Sequence, residues 1–330
     1  VNFPQKYVKD GKKMDNVETH GQWFLDFSKK FSGGDGSENN PYIIKNADEL
    51  HSMTSAAASR TRGKYFMLAN DITDNTELVN NRVLIRKNSD FSVFYGCFDG
   101  GGHRVSGLYS TGKNAALFGT LGDGAVVENV GIEGSYFEGE AAAAVALKIS
   151  GKNVTVHNCY AGDKVEINGT DTAGGIVAEI CNNRLTVTNC FFTGAFSGQA
   201  ELKGGIAGNI SVSNSLTTVT LSNCYTATPD NDYTLAPVEA FRSVRCINLY
   251  GTRKQTFGSD GSTSGTGMFK TVSRENMTGS GAAENMPLLN FDSVWAAKDG
   301  TTPQLRVFTG EQAEISGNIG SIWSGKIATA

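Results

Sequence analysis

Proline and histidine are scarce in this chain, at 6 and 4 of 330 residues. The 6 cysteines never fall as CxxC pairs or beside histidines at ligand spacing, which excludes the common zinc architectures. A charge excess of either sign is missing too. Lys and Arg number 29 against 33 Asp and Glu, a net charge of −4 spread along the chain, so there is no electrostatic footprint for nucleic acid or an anionic membrane. Long apolar runs are absent: a stretch such as 141–147 falls far short of the roughly 20 residues that cross a bilayer, and no membrane insertion is expected. No Gly-x-Ser-x-Gly elbow sits between a strand and a helix, and Gly100-Gly101-Gly102 and Gly204-Gly205 lack the Lys-Ser/Thr and following helix of a phosphate loop. What is abundant is glycine, 40 residues, in a chain 39% hydrophobic and 19% charged. That balance is too apolar for disorder and marks a turn-rich β protein.

Self-similarity decides the architecture. Asn158-Cys159-Tyr160, Asn189-Cys190-Phe191 and Asn223-Cys224-Tyr225 recur at a period of roughly thirty residues. Each follows an alternating run: Val154-Thr155-Val156, Leu185-Thr186-Val187-Thr188 and Val219-Thr220-Leu221-Ser222. A weaker copy ends in Asn129-Val130. A second marker keeps the same phase: Ala115-Ala116-Leu117-Phe118-Gly119, Ala143-Ala144-Val145-Ala146, Gly174-Gly175-Ile176-Val177-Ala178 and Gly204-Gly205-Ile206-Ala207-Gly208. No interval holds a crossover helix of about ten residues, so the short strands must coil. The expected fold is all-β, a right-handed single-stranded parallel β-helix. Stacking puts equivalent residues about 4.8 Å apart. Cysteine then suits an inward position, and asparagine suits a corner, where it tolerates the left-handed conformation and bonds along a ladder.

These residues resemble a known group. Phe98-Asp99-Gly100-Gly101-Gly102-His103-Arg104-Val105-Ser106-Gly107-Leu108-Tyr109, then Ala116-Leu117-Phe118-Gly119-Thr120-Leu121 and Val126-Val127-Glu128-Asn129-Val130-Gly131-Ile132, are similar to the GLUG-motif repeats of bacterial surface proteins. The opening (Asn40-Pro41-Tyr42-Ile43-Ile44, Ala47-Asp48-Glu49-Leu50) and the close (Phe291-Asp292-Ser293-Val294-Trp295, Thr302-Pro303-Gln304-Leu305) fit the same pattern, so the resemblance covers residues 31 to 308. It implies an adhesin-like, secreted or cell-surface protein of bacteria, and it carries no catalytic motif. Two departures stand out. Gly101 replaces the usual asparagine, and residues 229–267 show no clear rung signature.

Three parts are expected: an N-terminal cap over 1–62, the β-helix over 63–308, and a tail over 309–330 that reads as the start of a further β module. The chain opens at Val1 in mid-pattern, as a processed or excised piece of a longer polypeptide does. Asn46 with Glu49 predicts a capped helix over 46–60, with Leu50, Met53 and Ala57 as its apolar stripe. Trp23, Phe27 and Phe31 predict a second helix over 18–31, in the same cap.

Function is expected where the repeat breaks. Trp23, the acidic connecting loop carrying Asp163, Glu166 and Asp171, and Tyr233 in the 226–267 insertion are the candidate ligand-binding residues. The surface aromatics Tyr160, Phe192 and Tyr225 are further sugar-stacking candidates, beside their use in corner packing. No catalytic residue, no metal ligand and no cofactor is assigned. The three carboxylates are hard ligands suited to Ca²⁺, but without EF-hand or nonapeptide spacing. The expected role is a non-catalytic extracellular domain, a rigid spacer and binding surface for a glycan or a host or cell-surface protein, joined to other domains. The alternative is a carbohydrate-active enzyme, a polysaccharide lyase or glycoside hydrolase, with its carboxylates in a groove of the helix. Asp99 and His103 flank a glycine turn, where a tight-turn role outweighs an acid–base one. Asp71 reads as a turn carboxylate.

Overall fold

The structure, a computed structural model, describes residues 27–73, 93–181, 184–211, 218–230, 232–235, 244–255 and 269–310, with a short antiparallel pair of strands, Val8–Lys9 and Lys12–Lys13. Its body is a parallel β-helix, as the repeat requires. One face stacks Tyr42–Ile44, Tyr65–Leu68, Cys97–Ser106, Val126–Glu133, Val154–His157, Leu185–Thr188, Val219–Ser222 and Val244–Ile247, every pair parallel. A second stacks Tyr109–Thr111, Tyr136–Ala143 and Glu166–Gly174, ending on Ala195–Phe196 and Leu202–Gly204. The third stacks Val93–Phe94, Phe118–Leu121, Ala146–Ile149, Val177–Cys181 and Ala207–Ser211.

The alternating runs explain the first face. Val154 and Val156, Leu185 and Val187, Val219 and Leu221 are buried, and the Thr, His and Ser between them point outward. The chain then turns at asparagine. Asn129, Asn158, Asn189, Asn223 and Asn248 all adopt φ between 50° and 53°, a left-handed corner that asparagine accepts at low cost. Their side chains form the expected ladder: Asn158 Nδ2 donates to Asn129 Oδ1 at 2.9 Å and Asn189 Nδ2 to Asn158 Oδ1 at 3.0 Å. Asn248 Nδ2 donates likewise to Asn223 Oδ1 at 2.9 Å. Asp99 heads it, accepting from Asn129 Nδ2 at 3.0 Å and from the Gly101 backbone at 2.8 Å. The departure at Gly101 is thereby explained. Register runs from Asp99 opposite Glu128 to His103 opposite Val130, so three glycines fill the corner that one asparagine fills later. A Cβ on Gly102, at φ 77°, would meet the Val307 carbonyl at 2.3 Å.

Cys159, Cys190 and Cys224 follow the corner, point inward and are free thiols. Each lies near the carbonyl two residues back, at 3.0 to 3.3 Å, a weak S–H donation that satisfies a buried thiol. The insertion was expected to be irregular, yet it holds a further rung: Val244–Ile247 stacks on Val219–Ser222, and Asn248-Leu249-Tyr250 repeats the triplet with leucine in the cysteine place.

At the N-terminal end, Phe27, Phe31, Tyr42 and Phe66 close the core as one cluster, Phe31 stacking on Tyr42 at 4.8 Å. Asn46 caps its helix as expected, accepting from the Glu49 backbone at 3.0 Å. The helix ends early, however. Ala47–Thr54 is followed by a separate turn, Ala58–Thr61, because Ser55 bonds back to the His51 carbonyl at 2.6 Å and Ala57 is extended; Ala56 rather than Ala57 is buried. Of the second predicted helix, the described part is a 3₁₀ turn, Phe27–Lys30.

Beyond Phe269–Thr271 the chain folds back as a strap along the corner aromatics. Tyr160, Phe191 and Tyr225 stack at 4.7 and 5.0 Å with ring planes 3° apart. Tyr250 joins them with Met277, Met286, Leu289, Trp295, Leu305 and Phe308 of the strap in a second core. Polar ties fix it: Tyr225 donates to the Pro303 carbonyl at 2.6 Å, Leu288 N donates to Tyr250 Oη at 2.9 Å, and Arg104 donates to Tyr160 Oη and the Phe308 carbonyl, both at 2.9 Å. Gly131 makes room for the Tyr160 ring, which a Cβ there would meet at 2.3 Å.

Candidate functional site

The second face carries the arrangement best suited to a ligand. Along Tyr136–Ala143 and Glu166–Gly174, Phe137 and Ile167 point into the core, so alternation turns Tyr136, Glu138, Glu166 and Asn168 outward. Register aligns Tyr109, Tyr136 and Glu166 in one outward row, and Thr111, Glu138 and Asn168 in the next. Tyr109 and Tyr136 stack with centroids 5.3 Å apart and planes at 16°. Tyr109 is 39% exposed, one of the two most exposed large hydrophobic residues among those described. The Tyr136 hydroxyl is held from both sides, donating to Glu138 Oε2 at 2.9 Å and accepting from Asn168 Nδ2 at 2.8 Å. Partial burial pushes its phenol pKa up; the Asn168 donation opposes this and the Glu138 acceptor adds to it. Lys113 pairs with Glu140 at 3.6 Å at the margin. An ordered aromatic pair rimmed by fixed acceptors and an amide is equipped to stack on a sugar ring and bond its hydroxyls.

The five residues singled out from sequence are only partly gathered here. Glu166 and Asp171 lie on this face, exposed on one strand rather than in the expected loop. Asp163 sits in the preceding turn and is drawn to the strap, 3.3 Å from Arg274 Nη2. Tyr233 is half-buried elsewhere, with the Arg253 guanidinium 3.8 Å over its ring. Trp23 lies outside the described residues. Among the described residues, no group of three or more His, Cys, Asp or Glu side chains is placed to hold a metal ion. The sugar-stacking candidates Tyr160, Phe192 and Tyr225 are at most 2% exposed, because the strap and the core cover them. Tyr109, Tyr136, Glu138 and Asn168 were missed. Their signal was a tyrosine two residues before a polar residue, repeating in phase with the rungs.

A second polar cluster lies at the first corner. Glu128 is fully buried and Asp99 is 7% exposed, in register as neighbours, with the Arg306–Phe308 turn packed against their strands. Burial raises the Asp99 pKa, against the hydrogen bonds from Asn129 and Gly101. His157 Nδ1 lies 3.7 Å from Glu128, and Asn189 Nδ2 lies 3.0 Å from Nε2. His103 is turned away to Asp71 Oδ1 at 3.3 Å. Asp99 thus serves the corner, through the bonds it accepts from Asn129 and Gly101.

No protein-family model matches the chain. It is 29% identical over 133 residues, 39% of its length, to a protein of Evansella cellulosilytica described as "Putative Gly-rich membrane protein". It is 27% identical over 159 residues, 46% of its length, to halomucin of Haloquadratum walsbyi. The chain spans 15% and 2% of those two proteins. Among solved structures, a Bacteroides ovatus protein titled "putative immunoglobulin A1 protease" aligns over 84% of this chain and 96% of its own, at 19% identity and a TM-score of 0.49. Among the described residues, no helix is long and apolar enough to cross a membrane.

Proposed function

We propose that this chain is a GLUG-type, surface-associated β-helix module that binds glycans through the Tyr109–Tyr136 face and works without catalysis, as an adhesin-like extracellular spacer of a larger polypeptide. The observation that carries this is the stacked tyrosine pair, Tyr109 exposed and Tyr136 half-buried, with the Tyr136 hydroxyl fixed by Glu138 and Asn168. Kinship in sequence to halomucin and to a Gly-rich membrane protein supports surface association. Glycosidase chemistry needs two carboxylates about 5 to 10 Å apart that a sugar can reach. The neighbouring carboxylates Asp99 and Glu128 are buried under the Arg306–Phe308 turn, out of a sugar's reach, whereas Glu138 and Glu166 are exposed on the tyrosine face, so a product assay must separate binding from hydrolysis there. A glycan array run beside a product assay tests this. Binding that Tyr109→Ala and Tyr136→Ala abolish, with no product, is the expected result; turnover of any polysaccharide overturns it.

A further inference from the structure

The strands Tyr109–Thr111, Tyr136–Ala143 and Glu166–Gly174 contain Glu138, Glu140, Glu166 and Asp171 and no Lys or Arg. Lys113, in the adjoining turn, is taken up by Glu140. Glu138 already accepts from the Tyr136 hydroxyl, which orients it beside the ring. Glu166 occupies the next place in the tyrosine row, one strand along, and is exposed. Parallel strands lie about 4.8 Å apart and residues two apart along a strand lie roughly 6.6 Å apart, so Tyr136, Glu138, Glu166 and Asn168 make a small grid with its aromatic at one side. The whole chain is close to neutral, with a net charge of −4 over 330 residues, so this concentration is local to the aromatic face.

We infer that the face selects amine-bearing sugar chains, hexosamine polymers with free amino groups, with ring stacking on Tyr109 and Tyr136 and the ammonium groups held by Glu138 and Glu166. This rests on the glycan reading above and narrows it. Charge complementarity chooses the ligand: tyrosine faces attract cations through the ring quadrupole, carboxylates attract them directly, and uronate, sulfated or sialylated chains meet like charge. Carboxylate acceptors also fit an ammonium donor better than an acetamido group, whose amide lacks charge.

The test compares glucosamine oligomers, their fully N-acetylated counterparts, a polyuronate oligomer and a lysine peptide of similar length, by calorimetry on the full chain at about pH 6, where carboxylates and sugar amines are both charged. The free-amine oligomer is expected to bind about threefold to tenfold more tightly than the acetylated one, the gain from two exposed charge pairs, and the gain shrinks as salt rises. Glu138→Gln with Glu166→Gln is expected to bring the ratio of the two affinities close to one, the ratio and not either affinity alone being the readout; an unchanged circular dichroism spectrum certifies the fold. Equal binding of both oligomers, or tighter binding of the polyuronate, overturns the selectivity while the tyrosine face still stands as a glycan site. A lysine peptide bound as tightly as the amine oligomer also overturns it, making the face a basic-peptide surface. Binding of none of the four overturns the glycan reading as well.

Discussion

Replacing Asn189 separates the two jobs assigned to the corner asparagines. Its backbone sits at φ 52°, and its side chain is 3.0 Å from both Asn158 Oδ1 and His157 Nε2. Asn189→Ala loses both contacts and forces alanine into the left-handed region. Each buried hydrogen bond contributes about 1 kcal/mol net, and the Cβ strain adds about 1 kcal/mol, so the loss is about 3 kcal/mol. Asn189→Gly loses the same contacts without the strain and is expected to cost about 2 kcal/mol. Both are read by urea denaturation, with hydrogen exchange on neighbouring rungs as a second probe, because a solenoid need not unfold in one step. Alanine should be the worse variant by about 1 kcal/mol, and protection should fall most at Asn158 and Asn223. Alanine and glycine variants of equal stability would refute the left-handed corner as the cause. A loss below about 0.5 kcal/mol in both would refute the ladder as an energetic feature.

Asp99 gives a pH-dependent case. Its carboxyl is held above the ordinary value by burial, so the native chain binds this proton more tightly than the unfolded chain, and stability falls as pH rises from about 4 through the native value. Asp99→Asn keeps an oxygen to accept from Asn129 and Gly101, and is expected to flatten that part of the stability–pH curve, measured by melting temperature from pH 4 to 7. Tyr225→Phe removes the hydrogen bond to the Pro303 carbonyl and should cost about 1 kcal/mol, with faster hydrogen exchange in the strap than in the Asn158 rung. The buried thiols of Cys190 and Cys246, the latter pushed up to about 12, should resist alkylation at neutral pH in the native state and react only on unfolding, with no change in melting temperature under reductant.

The β-helix was legible in the chain because one rung marker meets two demands. The corner needs a residue that tolerates positive φ, and the inward place after it needs a small apolar one; Asn and Cys repeat in that order at Asn158, Asn189 and Asn223. The rung at Asn248 was overlooked because Leu249 replaces the cysteine, although the inward place asks only for an apolar side chain. The strap was illegible for another reason. Its contacts, such as Arg104 with Phe308 across 204 residues, bind irregular chain to the ladder and leave no period. For the proposed site, the repeat breaks lead only part of the way: Glu166 lies in the tyrosine row, while Asp163 pairs with the strap and Tyr233 lies under Arg253, and the tyrosine pair itself keeps the period and changes only its outward residues.

The central claim, that Tyr109 and Tyr136 mark a glycan-binding face, is tested most directly by hydrogen exchange with and without a glycan retained on the array. Protection is predicted along Tyr109–Thr111, Tyr136–Ala143 and Glu166–Gly174, and should vanish in Tyr136→Ala. Protection confined to another face, or unchanged by that substitution, would contradict it.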